Sequence, residues 1–101
     1  MVPATMHPYI VKTPGTCGGR PRIDGHRIRV QDISTSYTRL GMSADEICDA
    51  YPSITLAQVH AALAYYFDHR EEVEAEIAQD ARFVEEFIKQ NPGNVIDLRD
   101  K

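Results

Sequence analysis

Two helix-start patterns, separated by a proline break, constrain the fold of this chain more than any other feature. Ser43-Ala44-Asp45-Glu46 and Thr55-Leu56-Ala57-Gln58 are both capping boxes. In a capping box, the first and fourth side chains each bond the backbone amide of the other residue. Between the two boxes, Tyr51-Pro52-Ser53 ends the first helix, because proline cannot continue the hydrogen-bond ladder. The sequence therefore predicts a short helix ending near residue 50 and a longer helix over about residues 55–68.

A short helix, a tight break and a longer helix have the plan of a helix-turn-helix motif. In that motif, the N-terminal part of the second helix reads the major groove of DNA. Here that part carries Thr55, Gln58 and His60, and glutamine can pair with adenine. The alternative is that the two helices only build the core, since the second helix carries little positive charge.

Two further helices follow from apolar spacing. Val30, Ile33, Tyr37 and Leu40 recur at three- and four-residue intervals, which predicts an amphipathic helix over residues 31–40. A last helix is expected over residues 71–90. Within the longer helix of the pair, one apolar side is predicted to consist of Leu56, Val59, Leu63 and Tyr66.

The last helix is acidic and carries more apolar side chains than one small core needs. Its stripe consists of Val73, Ile77, Val84 and Ile88, with Phe83 and Phe87 beside it. This surplus predicts a homodimer or a partner contact, with ordinary burial as the alternative. Asn91-Pro92-Gly93 then ends the helix, and residues 91–101 are expected to be a flexible tail. The predicted partner-binding residues are Phe83, Phe87 and Ile88 on the helix and Val95, Ile96 and Leu98 in the tail.

Four arginines surround a turn pattern near the N-terminus. Asp24-Gly25 favours a two-residue hairpin turn, in which Arg22 would face Arg27 and Arg20 would face Arg29. All four arginines would then share one face, and like charges placed directly opposite each other are destabilising. Two explanations stay open: the face binds an anion such as the DNA phosphate backbone, or the acidic helices of the same chain neutralise it.

Charge and composition restrict the classes of function. Residues 1–30 carry five Lys or Arg and one acidic residue, whereas residues 31–101 carry six and fourteen, so two surfaces with different partners are expected. No apolar run is long enough to span a membrane, no signal peptide is visible, and Cys17 and Cys48 form no disulfide framework. We therefore expect a cytoplasmic protein. The histidines lack metal-ligand spacing and no nucleophile has an evident base, so no catalytic residues, metal or cofactor are predicted.

Together these patterns predict an α+β, mostly helical fold within one small domain. Residues 1–30 would form an N-terminal strand and β-ribbon, residues 31–70 a three-helix core containing the helix-turn-helix, and residues 71–90 the acidic helix. Residues 91–101 would form the tail.

Three segments together resemble a known family: TPGTCGGRPRIDGHRIRV, GMSADEICDAYPSITLAQVHAALAYYFDH and REEVEAEIAQD. The chain resembles, over roughly residues 8–90, the domain of unknown function four-three-three family (DUF433), an antitoxin-like group sometimes called VapB-type. Tyr51, Pro52, Thr55 and Leu56 match the family's turn, whereas His26 stands where threonine is expected and Arg29 where proline is expected. The ribbon positions that match are Cys17, Gly18, Gly19, Arg20, Pro21, Ile23, Gly25, Arg27, Ile28 and Val30.

The resemblance implies a β-ribbon joined to a helix-turn-helix, and a gene that lies beside one for a PIN-like ribonuclease toxin. From the residues and the resemblance together, we expect a non-enzymatic antitoxin-like protein that neutralises such a toxin and represses its own operon as a dimer. The residues expected to touch DNA are Arg20, Arg22, Arg27, Arg29, Thr55, Gln58 and His60. The alternative is a protein-binding adaptor or structural dimer without affinity for DNA.

Overall fold

The computed structural model of the protein describes residues 7–91 and has a small sheet followed by four helices. The α+β, mostly helical class predicted from the sequence is confirmed. Each helix boundary lies within two residues of its predicted position, as is usual for helix ends. In chain order the elements are β1 (Ile10–Val11), a 3-10 turn (Cys17–Gly19), β2 (Arg22–Ile23), α1 (Val30–Thr38), α2 (Ala44–Ala50), α3 (Leu56–Asp68) and α4 (Arg70–Gln90).

Helix α3 lies at the centre of the core and packs against α1, α2, α4 and both strands. The ribbon is part of this core, because Ile10 and Ile23 pair across the antiparallel sheet and are almost completely buried. The apolar side chains of the core are Ile10, Ile23, Val30, Ile33, Ile47, Ile54, Val59, Ala61, Ala62, Leu63, Tyr65, Tyr66 and Val73.

Both predicted capping boxes are confirmed. The Ser43 amide donates to Glu46 Oε1 at 2.8 Å, and the Glu46 amide donates to Ser43 Oγ at 3.1 Å. In the second box, the Thr55 amide donates to Gln58 Oε1 at 2.8 Å, and the Gln58 amide donates to Thr55 Oγ1 at 3.2 Å. These bonds fix the two helix starts and hold the side chains of Thr55 and Gln58 against each other's backbone amides.

The predicted ribbon register is wrong by two residues. Arg22 faces Arg29 rather than Arg27, and the Ile23 amide donates to the carbonyl of Ile28 at 2.9 Å. The loop is longer than the predicted two-residue turn and contains Gly25 at φ +83°. Because this register opposes only one pair of arginines directly, it avoids part of the like-charge repulsion in the predicted register.

The predicted apolar stripe of α1 is only half buried. Val30 and Ile33 are fully buried, whereas Tyr37 is 41% exposed and Leu40 is 67% exposed. The physical reason is that α1 ends at Thr38, so Leu40 lies beyond the helix. Leu56, predicted on the buried side of α3, is also partly exposed, since it is the first residue of that helix.

Hydrogen bonds from two buried tyrosines hold the first half of α4 in place. Tyr65 donates to Glu72 at 3.0 Å, and Tyr66 donates to Glu74 at 2.6 Å. Val73, which lies between Glu72 and Glu74 in the sequence, is fully buried, and Ile77 is partly buried against the core. The helix then continues, and every residue from 81 to 90 is exposed.

Candidate interaction surfaces

Arg20 is bound within the fold by side chains of α1 and α4. Its Nη1 donates to both carboxylate oxygens of Asp80 at 2.9 Å and to Gln31 Oε1 at 2.8 Å, while Nη2 donates to Gln79 at 2.8 Å. The Arg20 side chain is only 17% exposed. Its guanidinium group therefore connects the ribbon to α4 and does not form an open phosphate-binding site.

Arg29 also lies near the carboxylate of Asp80, but its nearer acidic neighbour is Asp32. Its Nη2 donates to Asp32 Oδ1 at 3.0 Å, and its Nη1 lies 3.7 Å from Asp80 Oδ2. The hydrogen bond to Asp32 raises the pKa of Arg29, which opposes the effect of burial. For Arg20 and Arg29, acidic helix residues supply the neutralising charge.

Arg22 and Arg27 differ from each other in what surrounds them. The guanidinium group of Arg22 donates to Thr13 Oγ1 and to the carbonyl of His26, both at 3.0 Å, so it fastens the loop of the ribbon. Its Nε is buried without a hydrogen-bond partner. Arg27 is the exposed member of the four arginines. Of these four side chains, Arg27 is therefore the one that an external anion can reach.

Asp80 connects the ribbon to α4, and its loss should destabilise the protein. Burial raises the pKa of Asp80, but hydrogen bonds from Gln31 and Arg20, with the charges of Arg20 and Arg29, outweigh burial and lower it. A carboxyl group with a lowered pKa in the folded state stabilises the protein above its unfolded-state pKa, and this contribution is lost as pH falls through the folded-state pKa.

We expect Asp80→Ala to lower the free energy of unfolding by about 1–2 kcal/mol near pH 7, since Asp80 is partly exposed. The difference from wild type should shrink at about pH 3. Urea unfolding at both pH values checks this, with Glu85→Ala, at an exposed position of α4, as the control. Equal stability of Asp80→Ala and wild type near pH 7 would show that these bonds do not stabilise the fold.

The predicted DNA-reading residues lie at the start of α3, where two of them are already engaged. Gln58 Oε1 and Thr55 Oγ1 form the capping box, whereas a glutamine that reads adenine uses both its oxygen and its nitrogen. His60 is exposed one turn further along. Residues 40–68 contain no lysine or arginine, so the helix pair lacks the charge that binds phosphate.

The largest exposed apolar side chains of α4 lie together at its C-terminal end. Phe83 is 71% exposed, Val84 54%, Phe87 49% and Ile88 44%. With 3.6 residues per turn, they continue the side of the helix that carries the buried Val73. We call these four residues the apolar end of α4. Phe83, Phe87 and Ile88 were predicted to bind a partner, and their exposure is consistent with that prediction.

A second apolar surface was missed by sequence reasoning. A groove of about 810 Å³ lies beside α3, and the rings of Tyr37 and Phe67 meet edge to face at its border with centroids 6.2 Å apart. We call it the α3 groove. In the sequence, the only sign of this surface was the pair Tyr37 and Leu40. Their spacing predicted that they lie on the apolar face of α1 and did not indicate that they are exposed. The groove is lined by Tyr37, Gly41, Met42, Ser43, Ala44, Glu46, His60, Leu63, Ala64 and Phe67.

The predicted partner-binding residues of the tail, Val95, Ile96 and Leu98, lie outside the described residues.

Among residues 7–91, no group of three or more His, Cys, Asp or Glu side chains is placed to hold a metal ion. None of the helices in this part of the chain combines the length and apolarity needed to cross a bilayer.

Comparison with known proteins identifies a family and a solved structure. The sequence profile described as "Protein of unknown function (DUF433)" matches residues 10–66. The chain is also similar to the crystal structure of a DUF433 member protein from Anabaena variabilis ATCC 29413, with 37% sequence identity and a TM-score of 0.63. That similarity covers 69% of this chain and 68% of the other. No curated protein matches the sequence.

Proposed function

The chain belongs to the DUF433 family, and from this premise we propose that it is a non-enzymatic, antitoxin-like protein that binds a partner protein through the apolar end of α4. The partner class we propose is a PIN-like ribonuclease, the class implied by the sequence resemblance. The proposal places the complex in the cytoplasm, consistent with the two free cysteines, Cys17 and Cys48.

One observation carries the proposal: residues 81–90 are all exposed although they include two phenylalanines, a valine and an isoleucine. Aromatic side chains concentrate at the energetically dominant centres of protein interfaces. The same ten residues have two basic and two acidic side chains, so a partner can cover them without meeting a net charge.

The geometry favours a protein partner over DNA as the main ligand. The helix pair carries four carboxylates between residues 40 and 68 and no basic side chain. Arg20, Arg22 and Arg29 have hydrogen-bond partners within the fold. An acidic surface repels the phosphate backbone, whereas an apolar surface gains free energy when a partner removes it from water.

The direct test uses the PIN-like ribonuclease encoded beside this gene. We expect isothermal titration to give a saturable complex and RNA cleavage to fall in proportion to the protein added. Absence of binding and of inhibition, or the absence of such a neighbouring gene, would contradict the assigned partner class.

Operator DNA is the second candidate ligand, and the observations that favour it are the helix-turn-helix order of α2 and α3 and the exposed Arg27. If DNA binds, Arg27→Ala should lower the slope of log affinity against log salt by about one unit. Gln58→Ala should cost about 1–3 kcal/mol on the specific site only.

A salt titration of upstream operon DNA checks both effects, with Glu85→Ala as the control variant. We expect weak binding by wild type even at low salt, because the helix pair is acidic. Tight binding with a steep salt slope would make DNA the main ligand.

A further inference from the structure

Two surfaces hold six of the nine exposed large apolar side chains of the described residues; the other three are Tyr9, Leu40 and Leu56. One is the apolar end of α4. The other is the α3 groove, where Phe67 is 51% exposed and Tyr37 is 41% exposed. Leu40, which is 67% exposed, directly precedes the groove residue Gly41. One molecule thus carries both a projecting apolar helix end and an apolar groove.

We propose that the α3 groove of one copy receives the apolar end of α4 from a second copy, and that the exchange is reciprocal in a two-fold symmetric dimer. The inference shares with the proposed function only the assignment of the helix end as a docking element. Because the dimer covers the helix end that the ribonuclease would bind, the two contacts compete. Light scattering of the protein alone tests the dimer, and titration with the ribonuclease below the dimerisation concentration tests the proposed function, so failure of one can be distinguished from failure of the other.

The continuity of α4 argues against its own end as the occupant of the groove in the same chain. The helix is continuous from Arg70 to Gln90, and its end is exposed in the same chain that leaves the groove open. The end cannot turn back into its own groove without breaking this helix. A second copy can supply it with both chains in their observed conformation.

Surface area explains why the contact should occur twice. The exposed fractions of the four residues at the helix end correspond to about 400 Å² of apolar surface. If the groove loses an equal area, one helix end in one groove buries about 800 Å² over both partners, which is the size of a crystal packing contact. Two such contacts related by a two-fold axis bury about 1,600 Å², the standard size of a stable interface.

The net charge of residues 81–90 suits the groove better than the charge of the acidic first half of α4. Glu46 is the acidic side chain in the groove lining, and residues 40–68 around it also carry Asp45, Asp49 and Asp68 without a basic residue. The first half of α4 is itself acidic, but residues 81–90 have no net charge and include Arg82 and Lys89. The neutral end is therefore the part of α4 that can approach the groove without net repulsion.

The side chains that line the α3 groove can pack against the aromatic side chains of the apolar end of α4. Its border is the edge-to-face pair of Tyr37 and Phe67, and further aromatic rings can extend such a pair with favourable geometry. Ala64 is small and exposed on the same surface, which leaves room for a ring from Phe83 or Phe87. His60 adds a polar atom at the border.

The experiment measures mass by light scattering over about 1 to 100 μM for the purified protein. Wild type should be a dimer in the upper part of this range. Phe87→Glu disrupts the helix end and Ala64→Glu disrupts the groove, and each should weaken dimerisation by at least about tenfold. Both positions are exposed, so the thermal midpoint of each variant should match wild type when all are measured at about 1 μM, where the protein is monomeric. Phe67→Ser removes a groove ring without adding charge and should also weaken the dimer.

Ala78→Glu is the matched control, because it adds the same charge to α4 at an exposed position on the opposite side of the helix from the apolar end. It should dimerise like wild type. The decisive sample is a mixture of Phe87→Glu with Ala64→Glu. The first variant keeps an intact groove and the second keeps an intact helix end, so mixed dimers should form more readily than either variant dimerises alone.

Other outcomes would overturn the proposal in identifiable ways. Loss of dimer in Phe87→Glu with none in Ala64→Glu would mean that two α4 helices pair with each other. Loss only in Ala64→Glu would mean that the grooves face each other or hold another segment of the chain. A monomeric wild type, or a mixture that forms no mixed dimers, would also contradict reciprocal exchange.

Discussion

Truncation of Ile23 to alanine is expected to lower the free energy of unfolding by about 2–5 kcal/mol, the cost of removing a fully buried aliphatic side chain. Ile23 is completely buried, pairs with Ile10 across the sheet, and belongs to a strand that packs on α3. In a domain of this size such a loss should lower the thermal midpoint by about 10 °C or more. Urea and thermal unfolding followed by circular dichroism measure both quantities.

Ile88→Ala is the control for this experiment, because the same side chain is removed where it is 44% exposed. Measured on dilute protein, below the concentration at which it dimerises, its stability should stay within about 0.5 kcal/mol of wild type. If Ile23→Ala were as stable as Ile88→Ala, the ribbon would be an arm attached to the helices, and the ribbon and helices would not share one core.

Replacement of Phe87 by glutamate should weaken binding of the proposed ribonuclease partner by about 30-fold or more, equivalent to about 2 kcal/mol. The ring belongs to the apolar end of α4, and burying a carboxylate in an apolar contact at this position costs free energy. Because Phe87 is 49% exposed in the free protein, the thermal midpoint of the dilute monomer should hardly change. Isothermal titration and inhibition of RNA cleavage provide two independent measurements.

Ala78→Glu serves again as the matched control and should bind the ribonuclease like wild type. Tight binding by Phe87→Glu would move the partner contact away from the helix end. A loss of binding in Ala78→Glu as large as that in Phe87→Glu would point to a charge effect along the whole of α4, and not to an apolar contact.

Local patterns predicted the helices well for a physical reason. Each capping box is completed by atoms three residues apart, so Ser43 with Glu46 and Thr55 with Gln58 need no help from distant parts of the chain. The break at Pro52 is likewise a property of one residue and its neighbours. For these features the sequence carries all the required information.

The arginines show what local patterns cannot supply. Arg20 and Asp80 are sixty residues apart, and nothing in the periodicity of α4 identifies Asp80 as the partner. The turn pattern at Asp24 and Gly25 was read correctly as a turn, but its length depends on how Ile28 and Val30 reach the core. A difference of two residues in the loop separated Arg27 from Arg22 and changed which arginines face each other.

Exposure was the hardest property to predict. Tyr37 and Val84 belong to apolar stripes of the same kind as Ile33 and Val73, but the first two are exposed and the last two are buried. Periodicity identifies an apolar side of a helix and does not tell where the neighbouring helices end. For that reason the apolar end of α4 could be anticipated only as a surplus, and the α3 groove was missed.

Hydrogen exchange of the backbone amides, with and without the ribonuclease, tests most directly whether the apolar end of α4 binds the partner. The free protein is measured below the concentration at which it self-associates, so that the end of α4 is uncovered. Binding should slow exchange by at least about tenfold at residues 81–90, because a covered helix end frays less, while residues 22–29 should be unchanged. A complex that forms with unchanged exchange at residues 81–90, or with protection centred on the ribbon, would contradict the assignment of the apolar end of α4 as the partner-binding surface.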